Sequence, residues 1–266
     1  MANYELTWHE WYTGDIAKKL RNELWPIKEM LIRNGIAKLV IRKWLREAIG
    51  KTNVIEIVDE KDIKQIEKNW YEERGFDVAE NDKNKQEEIL IKYGMDENLL
   101  DSYCKNEYFS FKWAEDIWSQ SLRQQFLEKK EMFDYSKIVY VSADEKEKHL
   151  MSEVYFAVKN GEYNLEEATT KYPEKLKGTS KSVKIKIGDM KPVMKYHIIG
   201  AQVGKITAPF KSESRLIIVR VEEYISNALN KEIEEKIIKD SLNEFISFGV
   251  DKILDDWSTH SDDSVE

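Results

Sequence analysis

The residues of this chain that could carry chemistry are few and scattered. Its imidazoles and thiols amount to four histidines, His9, His149, His197 and His260, and one cysteine, Cys104. No two of the histidines form a spaced ligand set, so no metal site is expected. Cys104 has no nearby histidine to deprotonate it and, as the sole cysteine, cannot close an intramolecular disulfide. Beside Tyr103 in a helical pattern, it reads as a small core residue. The chain has no glycine-rich phosphate loop and no G-x-S-x-G elbow. Carboxylate-rich runs such as DEKD (59–62) and EKEKH (145–149) read as solvated helix faces. No cofactor is expected.

One stretch stands apart. MKPVMKYHIIGAQVGKITAPF, residues 190–210, is sparsely charged in a chain that is 35% charged, and it holds two of the four prolines and two of the seven methionines. It reads as a short helix with an apolar face (Met190, Met194, Ile198), then a Val-Gly-Lys turn, then a brief strand ended by Pro209. Methionines at i and i+4 commonly mean ordinary core, but flexible thioethers equally suit a surface that accepts varied peptides. His197, inside this stretch, reads as a surface or half-buried residue.

The elements that position this stretch follow from composition and period. A 266-residue chain with 41% hydrophobic and 11% aromatic residues can build one large domain or two ordinary ones. A net charge of -8 and a pI near 5.3 argue against nucleic acid as a partner, because no basic stripe offsets the 50 acidic residues. The opening MANYELTWHEWYTGD lacks a basic region followed by an apolar core, and no run approaches about 18 apolar residues. A cytoplasmic protein without a membrane span is expected.

Apolar residues recur at helical spacing from Pro26 to Ile49, with Pro26 in the first turn and Gly50 as the C-terminal cap. Further helices are predicted over 59–74, over EEILIKYG (87–94), and from an Asp96 cap to about Lys130, with a polar loop over 76–86. At Tyr135 the period changes. KIVYVSADE (137–145) reads as a strand, EKEKHLMSEVYFAVKNG as a helix with Leu150, Val154 and Val158 inward, and NLEEATTKYP as a helix capped by Asn164. KSVKIKIG (181–188) reads as a strand with one wet face, and RLIIVRVEEY (215–224) as a central strand. The order β-α-α-β-α-β-β describes a compact α+β domain. A last helix has Ile233, Ile237, Leu242, Phe245 and Ile246 on its apolar side and should fold back on the first domain. The predicted division is a helical domain over 1–134, the α+β domain over 135–226, the returning helix over 227–256 and a disordered tail over 257–266.

This layout resembles the foldases and chaperones of the SurA-like family, built from a helical arm, a parvulin-type peptidyl-prolyl isomerase domain of FKBP-like topology and a returning helix. VKNGEYNLEEATTKYP resembles the family's helix end at Gly, following aromatic and next helix, with Gly161, Tyr163, Leu165, Ala168 and Tyr172 in place and Pro173 where serine is usual. MKPVMKYHIIGAQVGKITAPF resembles the family stretch lining the proline pocket, through Met190, Pro192, Met194, Ile199, Gly204, Ile206 and Pro209. The resemblance covers most of 136–224.

Rotation about X-Pro faces a barrier of roughly 18–20 kcal/mol because the twisting amide loses resonance. Active parvulins lower it with an apolar pocket and a polar cluster: a histidine on the first strand, an Asp or Cys on the second, a histidine on the last. Here these positions fall on Ile138, near Lys181 and on Ile217, and the usual double glycine is Thr179-Ser180. The resemblance therefore implies substrate-binding residues Met190, Met194, Ile199, Ile138, Ile217 and Lys181 with no catalytic residue among them. It implies a chaperone for unfolded or proline-containing polypeptide, a peptide destined for export among the clients it allows, with weak or absent isomerase activity. An active isomerase and a non-catalytic assembly scaffold are the rival readings, and the resemblance fixes neither client nor oligomeric state.

Overall fold

The computed structural model describes residues 4–52, 58–77 and 82–259. The chain divides into two units: residues 1–125 with 234–266, and residues 126–233 inserted between them.

The first unit is helical: α1 (Tyr4–Trp11), α2 (Gly14–Leu24), α3 (Lys28–Arg33), α4 (Ala37–Thr52), α5 (Glu60–Glu72), α6 (Lys83–Lys92), α7 (Glu97–Trp118), most of α8 (Leu122–Glu128) and most of α12 (Lys231–Thr259). Its main core joins Trp8 and Trp11 of α1, Leu20 and Leu24 of α2, Ile41, Leu45 and Ile49 of α4, and Trp113 and Trp118 of α7 to Leu242, Phe245, Ile246, Val250 and Trp257 of α12. The returning helix thus packs on the N-terminal helices, as its apolar face requires. A smaller core under α5, α6 and α7 holds Trp70, Tyr71, Phe76, Leu90, Leu100 and Cys104. The Asp59, Asp82 and Asp96 side chains accept backbone N–H bonds at the first turns of α5, α6 and α7.

Several boundaries differ from the sequence reading. The helix expected over 26–49 is two helices, because Gly35 takes φ +67° and Ile36 N–H bonds back to Leu31 C=O, closing α3. Gly50 is not a cap: it lies inside α4, where an added Cβ would sit 3.4 Å from the Asn106 carbonyl oxygen of α7. The long helix from Asp96 is interrupted at 119–121 by a tighter turn. The expected loop over 76–86 gives way to α6 at Lys83, and its 78–81 portion lies outside the described residues. Trp257, assigned to the disordered tail, is 1% exposed and α12 runs to Thr259, while residues 260–266 lie outside the described residues.

The second unit is α+β: β1 (Tyr135–Asp144), α9 (Lys148–Lys159), α10 (Leu165–Lys171), β2 (Lys177–Gly178), β3 (Val183–Lys186), α11 (Pro192–Ile199), β4 (Phe210–Ser212) and β5 (Arg215–Ile225). All strand pairs are antiparallel, in the order β2-β1-β5-β4, with β3 beside β2 on the same flank of β1. The helix α9 turns Met151, Val154 and Ala157 inward, a stripe rotated from the expected Leu150, Val154 and Val158, of which Leu150 and Val158 are half-buried. The brief strand expected before Pro209 is a single bridge, Ile206 to Arg220, and β4 begins after the proline.

Alternation along the strands separates two apolar layers. On one face Val139, Val141, Ala143 and Ile218 pack with Met151, Val154, Leu165 and Ala168 of α9 and α10. On the other, Ile138, Val219 and Val221 pack with Ile187, Met190, Ile198 and Phe210 beneath α11. Both ends of the unit are tied by Asp134, whose carboxylate accepts from Lys130 Nζ and the Asn227 backbone N–H, each at 2.9 Å.

Candidate functional site

The layer beneath α11 contains most of the residues singled out in the sequence, in different roles. Ile138 is fully buried, with Val183 and Val221 as its cross-strand neighbours, so it supports the layer from within. Met190 is buried just before α11, and Met194 is half-buried against the same core. Ile217 is half-buried in β5, opposite Phe210 of β4 and Ser142 of β1. Lys181 is exposed in the connection between β2 and β3.

Ile199 does not join them. Five residues beyond Met194, it lies about 140° around the helix, and it is 50% exposed. The helix therefore has two apolar faces. Met194 and Ile198 face the sheet, while Val193, Tyr196 (77% exposed), Ile199 and, after the helix, Val203 face outward. The single apolar floor expected of Met190, Met194, Ile199 and Ile217 is split by helical geometry into a buried part and a displayed part.

Three contacts fix α11 in place. The His197 imidazole stacks on the Phe210 ring, centroids 4.0 Å apart and planes 16° from parallel. The Tyr224 hydroxyl shares its one proton between the carbonyls of Ile198, which also accepts from Ala201 N–H, and of Ala201, the latter at 3.0 Å. Burial raises the Tyr224 pKa, so the phenol stays a donor at neutral pH. Lys195 of α11 also pairs with Glu131 at 2.5 Å. The loop after the helix is laid along β5, with Gly204 N–H to Val221 C=O and Thr207 N–H to Val219 C=O, each 2.8 Å.

Tyr140, Tyr224 and Phe210 escaped the sequence reading. Tyr140 had a signal, since it stands two residues from Ile138 in β1 and so shares its face; it is half-buried against this layer. Its backbone N–H donates to Thr179 Oγ1 at 3.3 Å and its carbonyl accepts from Thr179 N–H at 3.0 Å, holding the end of β2 to β1. Tyr224 and Phe210 had none, because their roles depend on tertiary approach to α11.

No protein-family model and no curated protein matches this chain. Solved structures do resemble it. The likeness is to foldases. PrsA, a peptidyl-prolyl isomerase from Bacillus cereus, is 15% identical over 95% of this chain and 88% of its own, with a TM-score of 0.39. The foldase protein PrsA from Streptococcus pneumoniae is 12% identical over 93% and 90%, with a TM-score of 0.38. A SurA-like chaperone of Campylobacter jejuni is 12% identical over 88% and 87%, with a TM-score of 0.24.

Chemically, the α11 layer offers apolar area and few polar groups that could act on a peptide bond. Ser142, opposite Ile217, already donates to Lys177 C=O and accepts from Arg215 Nε, both at 3.2 Å. Among the described residues, no group of three or more His, Cys, Asp and Glu side chains could hold a metal ion. Cys104 lies in the first unit, where burial pushes its thiol up to about 12.

Proposed function

We propose that this protein is a parvulin-like folding chaperone that holds extended, proline-containing polypeptide against the outer face of α11, in the cytoplasm, with weak or absent isomerase activity. One observation carries this reading: α11 is anchored by the Met194 and Ile198 side and leaves Val193, Tyr196 and Ile199 displayed together. Turning these residues inward would only expose Met194 and Ile198 instead, so each displayed side chain keeps in reserve the roughly 1.5–3 kcal/mol that its burial under a client would contribute. The resemblance of residues 136–224 to parvulins supplies the client class. The apolar Ile138 and Ile217 stand where active parvulins place histidines, which supports binding without efficient catalysis.

The test combines two assays on the full chain. Suppression of aggregation of an unfolded client is expected at stoichiometric concentrations. Isomerisation of a proline tetrapeptide is expected at a catalytic efficiency more than about tenfold below that of an active parvulin, a gap of at least about 1.4 kcal/mol in transition-state stabilisation. Parvulin-like efficiency would establish the enzyme reading instead, and absence of any client effect would leave the unit a scaffold module.

A further inference from the structure

The overall charge of -8 hides a local reversal at one corner of the helical unit. Between Pro26 and Lys43 the chain carries Lys28, Arg33, Lys38, Arg42 and Lys43 against Glu29 alone. Among the described residues, two of the five meet an acid: Lys38 lies 4.0 Å from Asp251 and Lys43 lies 3.9 Å from Glu47, both at the surface, where such pairs contribute little. Lys28 sits over the Trp25 ring at 4.1 Å, and Arg42 donates to the neutral Ser247 hydroxyl. The corner keeps most of its positive charge.

The same segment displays Ile27, Met30, Ile32, Ile36 and Leu39, with Leu39 70% and Ile32 52% exposed. It is held from below by buried Leu31, Ala37 and Ile41, and its turn is closed by the Ile36 to Leu31 backbone bond. Side chains that line a groove are shielded by its walls; these project from a helix–turn–helix corner. Projecting apolar groups ringed by cations suit a partner that is soft, apolar below and anionic at its surface. A lipid interface has that layering, with acyl chains to receive Ile32 and Leu39 and anionic headgroups to meet the lysines and arginines. An extended peptide would need a concave seat or a free strand edge.

We propose that the α3–α4 corner docks the protein on anionic membrane surfaces. Docking is peripheral: among the described residues no helix is long and apolar enough to cross a membrane. The inference is independent of the client-binding reading of α11.

The 266-residue chain sedimented with vesicles of phosphatidylcholine, with or without phosphatidylglycerol, tests it. Binding is expected only to the anionic vesicles, weakening at least about tenfold as salt shortens the screening length. The pair Ile32→Asp with Leu39→Asp, and separately Arg33→Glu with Lys38→Glu, should each weaken it at least about tenfold at an unchanged circular dichroism spectrum. Salt titration of the parent protein reads the same electrostatics without any substitution. Equal binding to both vesicle types, binding to neither, or binding unaffected by both pairs overturns the proposal. So does vesicle binding that is absent while these variants lose client protection, which would assign the corner to polypeptide.

Discussion

The Trp8 indole lies directly over Gly249, so close that a Cβ added there would come within 2.9 Å of the ring's Cη2 and 3.1 Å of Leu45 Cδ1. α1 can pack on α12 in this way only because residue 249 has no side chain. In an unconstrained helix Gly→Ala gains roughly 0.5–1 kcal/mol. Here Gly249→Ala is expected to lose about 1–3 kcal/mol through overpacking, read as a lower denaturant midpoint at unchanged m-value. In a Trp8→Ala background the same substitution should become neutral or stabilising. A stabilising Gly249→Ala in the parent would contradict the packing.

The two faces of α11 should separate stability from binding. Tyr196→Ala with Ile199→Asp alters displayed side chains and should weaken client binding at least about tenfold with a melting temperature within a degree or two of the parent. Met194→Asp places a charge against the apolar layer and should cost roughly 2–4 kcal/mol of stability. If Ile199 and Tyr196 changes leave client affinity intact, the outer face is not the binding surface.

Installing a parvulin-type histidine in β1 should not create activity. Ile138→His puts an imidazole into a fully buried site between Val183 and Val221, at an expected cost of at least about 2 kcal/mol. Proline-peptide isomerisation should not rise. A stable variant with increased turnover would mean that this position is accessible to substrate.

Cys104 should ignore thiol reagents in the native protein. Burial holds its pKa near 12, above the usual value of 9.0, so the thiolate that reacts is scarce at neutral pH. The folded state favours the protonated thiol; its contribution is therefore fully present below about 9 and is lost as pH rises toward about 12. Labelling at neutral pH is expected to track denaturant unfolding in a single transition. Rapid labelling of the native chain would place the thiol at the surface.

Apart from the two-residue β2 and the place of β4 after Pro209, the order of elements in the α+β unit was legible, because strand alternation and helical period are local properties that tertiary packing then exploited. Positions 216 to 219 of β5, for example, alternate between the two apolar layers. What the sequence concealed was set by distance in space. The apolar stripe runs across Asn34-Gly35 with little interruption, so the α3–α4 break showed only in the glycine's backbone. Trp257 stands among Asp, Ser and Thr and looked like tail, yet its side chain reaches the core shared with α1 and α7. In the candidate site, the residue types were legible while their division between the inner and outer faces of α11 was not, because one helical run carries apolar groups on both sides.

The way the helical unit is divided along the chain sets a schedule for synthesis. Phe245 lies 5.2 Å from Trp113 and 5.9 Å from both Trp8 and Trp11, ring to ring, yet it is made more than a hundred residues after them. On the ribosome, the inserted unit has all its strands, and both partners of the Asp134–Asn227 tie, before Phe245 exists. Until α12 is made, the N-terminal helices lack Leu242, Phe245 and Ile246 against their tryptophans. A chain truncated or stalled before α12 would carry a complete insert and an open aromatic cluster, the form of this protein most exposed to aggregation.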